Sequence, residues 1–296
     1  MLVWSHDRWG IPLPAGHKFP ISKYGLLRER VEAAGLAEVR EASPVPWEWL
    51  GEVHDAALLE RIRTGTLTLR EQRGLGLPWS EVLVERGRRS VGGTLCAARR
   101  ALERGIGMNL GGGTHHAGRD FARGYCLFND VVVALTRLRA DGLAQRALVV
   151  DCDVHQGDGT AQLLGPDPDA FTVSLHGARN YPFERIPSDL DVDLPSGTGD
   201  DAYLSALSDA LDTAPDADLA FYLAGADPWE GDRLGRLSLT KDGLRARDEL
   251  VLDRLLATDA AVVVVLAGGY APDVSDTVDI NLATVAAVAA RDAVLS

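Results

Sequence analysis

Short aliphatic runs alternate with longer helical patterns along most of this 296-residue chain, and four of the five runs end in a polar or glycine-rich cluster. The runs are Gly107–Leu110, Ala147–Val150, Ala170–Leu175, Leu219–Ala224 and Ala261–Ala267. Continuous apolar runs suit strands covered on both faces. The helical patterns fall at Ser80–Glu103, Asp130–Ala140, Asp200–Asp212 and Asp242–Leu256, with a closing helix from Asn281. Such alternation predicts an α/β fold, a three-layer α/β/α sandwich around a central, mainly parallel sheet. No repeat or long linker divides residues 1–296, so a single domain is expected, with PSGTGDD at Pro195–Asp201 as an internal loop. The proline-dotted front portion, to about Gly76, reads as surface loops and short helices laid on that sheet.

Open parallel sheets bind ligands beyond the carboxyl ends of their strands. Four runs lead into GGGTHH, DCDVH, GAD and GGY, which would bring His115, His116, Asp151, Asp153, His155, Asp227 and Tyr270 to one edge. The stretch DCDVHQGDGT at Asp151–Thr160 is the most demanding, because carboxylates at the end of a buried strand need water, a partner or a metal. At period two, Asp151, Asp153 and His155 share one side of an extended chain. One carboxylate and one imidazole from here, with Asp227, make the three-ligand N/O set of a catalytic zinc site. The bland alternative is a solvated loop whose aspartates cap the helix after Gly157, with Asp227 as a turn residue before Pro228.

His115 and His116 can serve one site only through the unusual backbone that Gly111–Gly113 permit. Asp151 and Asp158 remain as carboxylates to orient the two rings for proton transfer. Tyr270 is either an aromatic plug in a turn or a phenol aimed at charge developing on a carbonyl oxygen.

The formal charge of −13 argues against nucleic acid as a partner; it leaves cationic substrates open and serves solubility. No run approaches the ~18 apolar residues of a membrane span, and the opening MLVWSHDRWG lacks the pattern of a secretory signal. Cys96, Cys126 and Cys152 show no CxxC spacing and fit free thiols in a reducing cytoplasm. Thiol or serine catalysis has little support: no GxSxG elbow exists and Cys126 reads as a packing residue. Nucleotide motifs are also missing, since GIGMNLG has one residue too many for GxGxxG.

The strings GGGTHHAGRDFARGYCLFND, VVDCDVHQGDGT, VSLH, GADPWEGDRLGRLSLT and LAGGY, in this order, resemble the histone deacetylase family, whose fold is the arginase/deacetylase type. The match runs from about Leu110 to Tyr270, and more weakly back through VHD at Val53–Asp55. Gln156 and EGDRLG are similar to the class IV branch and its bacterial relatives, although Asp158 stands where class IV members often carry Asn. Thr114 replaces an often bulky apolar residue. The resemblance implies Asp153, His155 and Asp227 as ligands of Zn²⁺, with Fe²⁺ as an alternative. It implies His115 and His116 as the proton-transfer pair with Asp151 and Asp158 behind them, and Tyr270 as the residue polarising the amide carbonyl. Gly124, Tyr125 and Leu234 match the substrate tunnel. Asp151, Asp153, His155, Ser174 and Leu175 match a structural monovalent-cation site, usually K⁺. The expected activity is metal-dependent hydrolysis of an N-acyl amide, acyl-lysine in proteins first, with acetylpolyamines, other small amides or long-chain acyl-lysine as alternatives. All the proposed ligands and acid–base groups are present, which disfavours a non-catalytic binder.

Overall fold

The computed structural model describes residues 1–295. Eight strands form one sheet: β1 (Leu2–Ser5), β2 (Glu38–Glu41), β3 (Ile106–Asn109), β4 (Ala147–Asp151), β5 (Ala170–Gly177), β6 (Leu190–Leu194), β7 (Leu219–Ala224) and β8 (Ala261–Leu266). Their order across the sheet is β2-β1-β3-β8-β7-β4-β5-β6, and every ladder between them is parallel. All residues of β3, β4, β7 and β8 are buried, as their unbroken aliphatic runs require.

Successive residues of these strands point to opposite layers. Val149, Phe221, Val263 and Val265 pack into one apolar cluster with α5 (Glu81–Arg104) and α6 (Asp130–Ala140). Leu148, Val150, Ala220, Tyr222, Val262 and Val264 pack into the other. That second layer holds α1 (Lys23–Ala33), α8 (Asp200–Thr213), α9 (Lys241–Leu256) and α10 (Val274–Leu295). Helix and sheet layers thus form the expected sandwich. No described helix is long and apolar enough to cross a membrane.

The front portion departs from expectation. Besides the short helices α2 (Trp47–Gly51), α3 (Ala56–Thr64) and α4 (Leu69–Leu75), it supplies two strands of the sheet, with β1 lying between β2 and β3. In β2 only Val39 is buried, because an edge strand keeps most of its side chains in water. At the opposite edge, β6 carries Asp191 and Asp193 in alternation and was also not anticipated. The last helix starts at Val274 rather than Asn281, and the loop at 195–199 joins β6 to α8.

Candidate active site

Parallel pairing puts the carboxyl ends of β3, β8, β7 and β4 side by side, and the polar clusters leave from these ends. After Asp151 the chain does not stay extended. It bends, so the period-two placement of Asp151, Asp153 and His155 is corrected. The bend is held by carboxylates: Asp151 Oδ1 accepts from Asp153 N at 3.0 Å, and Asp153 Oδ1 from His155 N at 2.9 Å. Asp227 Oδ1, arriving from the end of β7, accepts from Val154 N at 2.9 Å. The next helix, α7 (Asp158–Leu164), starts after Gly157 without a side-chain cap, so these aspartates are not helix caps.

Asp153, His155 and Asp227 are buried and offer one ligand atom each within 4.8 Å of one another. His155 Nδ1 lies 2.9 Å from Asp153 Oδ1 and 3.2 Å from Asp227 Oδ2. Close approach of the two carboxylates depends on Gly268, where an added Cβ would collide with both. Burial opposes charge on His155, yet Asp153 and Asp227 outweigh it and raise its pKa to about 10. Burial and the charge of Asp153 lift Asp227 to about 7. The cluster draws positive charge to itself.

His115 and His116 face it, reached through Gly112 and Gly113 at φ 82° and 62°. Asp130, at the start of α6, holds that loop by accepting from Gly113 N at 3.1 Å and Thr114 N at 2.8 Å. The imidazole rings lie 4.1 Å apart between centroids. His115 Nδ1 is 2.6 Å from Asp151 Oδ2, and His116 Nδ1 is 2.5 Å from Asp158 Oδ1. Burial works against a charge on His115, but Asp151 and Asp153 raise its pKa to about 9. For His116, burial and then the charge of His115 lower the pKa to about 4. Adjacent rings are thereby driven to opposite protonation states at neutral pH. Arg123, which the sequence did not single out, pairs with the far oxygen of Asp158.

Tyr270 follows β8 and lines both an inner cavity of about 80 Å³ and an outer one of about 330 Å³. Its ring centroid is 6.4 Å from that of His155. Burial, with Asp153 and Asp227 nearby, pushes its phenol well above the usual range and keeps it a hydrogen-bond donor. Gly124 and Tyr125, with φ of 57° and 68°, line both cavities, and Leu234 lines the outer one. Ser174 lies in register with Asp151 across β4 and β5, and buried Leu175 follows it. Cys126 lines the inner cavity, where burial holds its thiol well above the range of a nucleophile.

Two further supports of the site are side chains that the sequence did not single out. Arg247 of α9 is fully buried and donates to the carbonyls of Gly225 and Cys152 at 2.5 and 3.4 Å. Asp232 accepts from Tyr270 N at 2.6 Å. A third, His54, lies in the VHD string. It is buried, its Nδ1 is 2.8 Å from Gly118 O, and its Nε2 accepts from Asn129 N at 3.1 Å.

Comparison with known proteins bears on the fold and the family. An uncharacterised protein of Picosynechococcus sp. is 42% identical over 279 residues, covering 92% of this chain and 93% of its own. The histone deacetylase-like amidohydrolase of Pseudomonas aeruginosa is 29% identical over 281 residues, 88% of this chain and 74% of that one. A crystal structure of an HDAC homologue complexed with SAHA superposes with a TM-score of 0.78 at 22% identity, covering 95% of this chain and 82% of that one. The model of the histone deacetylase domain matches residues 17–285, nearly the whole length, and the chain belongs to the histone deacetylase family.

Proposed function

We propose that this family member is a metal-dependent amidohydrolase that removes an acyl group from N-acyl-lysine in proteins, with residues 1–296 as one catalytic domain. The observation that carries this reading is Asp227 Oδ2. It is buried without a hydrogen-bond partner, 3.2 Å from His155 Nδ1, in a cluster that attracts a cation. An orphaned buried carboxylate oxygen is costly unless an ion satisfies it. Asp153, His155 and Asp227 fit Zn²⁺ as an N/O set, and Fe²⁺ shares that preference. Such an ion supplies Lewis acidity and lowers the pKa of water.

The remaining steps fall to the chain's own groups. His116 is neutral at pH 7, and Asp158 on its Nδ1 leaves Nε2 to take the proton from water. His115, positively charged beside Asp151, keeps its neighbour neutral until that moment. Tyr270 donates to the amide oxygen as negative charge builds there. The amine then leaves with a proton from the histidine pair. Gly124, Tyr125 and Leu234 form the walls along the acyl-lysine stem. Asp151, Asp153, His155, Ser174 and Leu175 are the candidate holders of a structural K⁺. Three free cysteines fit a cytoplasmic setting.

The test is hydrolysis of acyl-lysine peptides and acylpolyamines of graded acyl length, with metal content measured on the same protein. Turnover that is lost on chelation and restored by Zn²⁺ supports the reading. Activity indifferent to chelation, with no bound metal, removes it.

A further inference from the structure

The mouth of the outer cavity has the opposite sign of charge from the chain as a whole. Arg73, Arg179 and Arg236 line it, coming from the last turn of α4, the segment after β5 and the loop after β7. All three side chains are exposed. Among the described residues, none makes an ion pair or a hydrogen bond through its guanidinium. No Asp or Glu lines this cavity, and Glu184, next to the exposed Phe183, is not among its lining residues. Many arginines elsewhere, such as Arg28, Arg61, Arg89 and Arg139, sit against carboxylates; those without such a partner, such as Arg8, Arg70, Arg104 and Arg119, do not line this opening. Arg233, close by, is engaged with the carbonyl of Tyr270 at 3.0 Å. In a chain with 43 acidic and 30 basic residues, three unpaired cations around one opening make a local field that chance pairing does not favour.

We propose that the substrate presents negative charge at this mouth: an N-acyl-lysine flanked by Asp or Glu side chains in an acidic peptide. The proposal rests on the acyl-amide reading above and adds the chemistry outside the scissile bond. Guanidinium groups bind carboxylates in forked pairs, and three of them from separate segments can meet charges on either side of the acylated residue. An acylated polyamine would bring its cations against the same three arginines. The negative total of the chain, which leaves cationic amines open as substrates, is therefore a poor guide to the site. The field that matters is the local one at the opening.

The experiment measures kcat/KM for acetyl-lysine peptides with acidic, alanine or basic flanks, at low and high salt. Free Nε-acetyl-lysine and an acetylated diamine are run beside them. One exposed charge pair is worth at most about fivefold, so acidic flanks should exceed basic ones by at least about tenfold, chiefly through KM. High salt should compress the difference. The triple variant Arg73→Glu, Arg179→Glu, Arg236→Glu should reverse the order. A flat or basic-preferring series overturns the proposal. Faster turnover of free acetyl-lysine than of the acidic peptide overturns it in favour of a small carboxylated amide. If no acyl substrate is hydrolysed, the acyl-amide reading fails by itself, and calorimetric binding of the same peptides still reads the charge preference. Acidic peptides bound about tenfold tighter then support an acidic ligand, and equal affinities overturn it.

Discussion

Arg247 Nη1 lies 2.5 Å from the carbonyl oxygen of Gly225, two residues before Asp227. The same guanidinium reaches Cys152 O, next to Asp153, and is held by Asp248, which also accepts from Tyr222 and Thr284. One buried side chain in the helical layer thus ties together the two loops that carry the candidate metal ligands. Arg247→Met leaves Asp248 charged in the core, a change that costs about 3–5 kcal/mol when one member of a buried pair is removed. Exposed Arg245→Met should stay within about 0.5 kcal/mol of the parent. Thermal unfolding and zinc titration of both variants check this; equal stabilities remove the tie.

Asp227→Asn separates a ligand from a turn residue. Asn is nearly isosteric and acceptable before Pro228, so a turn role leaves metal and turnover intact. As a ligand, Asp227 supplies one of two anionic donors, and both zinc affinity and turnover should fall sharply. Stoichiometric zinc by elemental analysis together with undiminished turnover would sink the assignment.

His116→Ala should lower kcat by at least ~10²-fold, the usual range for a general base. His115→Ala should cost less, because its charge sets the protonation of His116 rather than touching water directly. Steady-state rates across a pH series compare the two. Near-parent rates in both variants take the pair out of the mechanism.

Tyr270→Phe keeps the ring between the two cavities and deletes only the hydroxyl. Loss of one donor to a developing oxyanion costs ~10²–10³ in kcat, with little change in melting temperature. Unchanged kcat in single-turnover measurements restores the alternative of an aromatic plug.

His54 is a sensor of acid stability away from the metal cluster. Burial drives its pKa down to about 4, and its bonds fix the neutral form: Nδ1–H donates to Gly118 and Nε2 accepts from Asn129. A second proton would set two donors against each other. The unfolded ring binds a proton below its ordinary pKa of 6.5 while the folded one does not. Stability from this group is full above 6.5 and lost as pH falls through 4, by on the order of 3 kcal/mol. Metal-free His54→Gln should show a shallower decline in urea unfolding over this interval. Parallel declines in the two proteins refute the linkage.

The central strands were legible because burial on both faces writes continuous aliphatic runs, and their ends because charges cannot stand there unassisted. Edge strands leave no such record. Glu38–Glu41 has one apolar residue in four, and Leu190–Leu194 alternates with aspartate like a solvated loop. Arg247 was hidden for a related reason, since Lys241–Leu256 is charged along much of its length and pattern alone does not say which arginine turns inward. The aspartates and histidine of DCDVH were identified from charge and order. Their bend was not, because it is made by hydrogen bonds to carboxylates rather than by any periodicity.

The strand order also sets a schedule for biosynthesis. β3 pairs with β8, joining Ile106 to Val262, and β7 lies between β4, which precedes it in the chain, and β8, which follows it. A nascent chain that has passed His155 still lacks Asp227 and the glycines that admit it. Such distant pairings form late, after the cost of closing long loops has been met. If Asp153, His155 and Asp227 hold the proposed ion, its capture waits for almost the entire polypeptide to leave the ribosome, and a prematurely ended product would be released empty as well as unfolded.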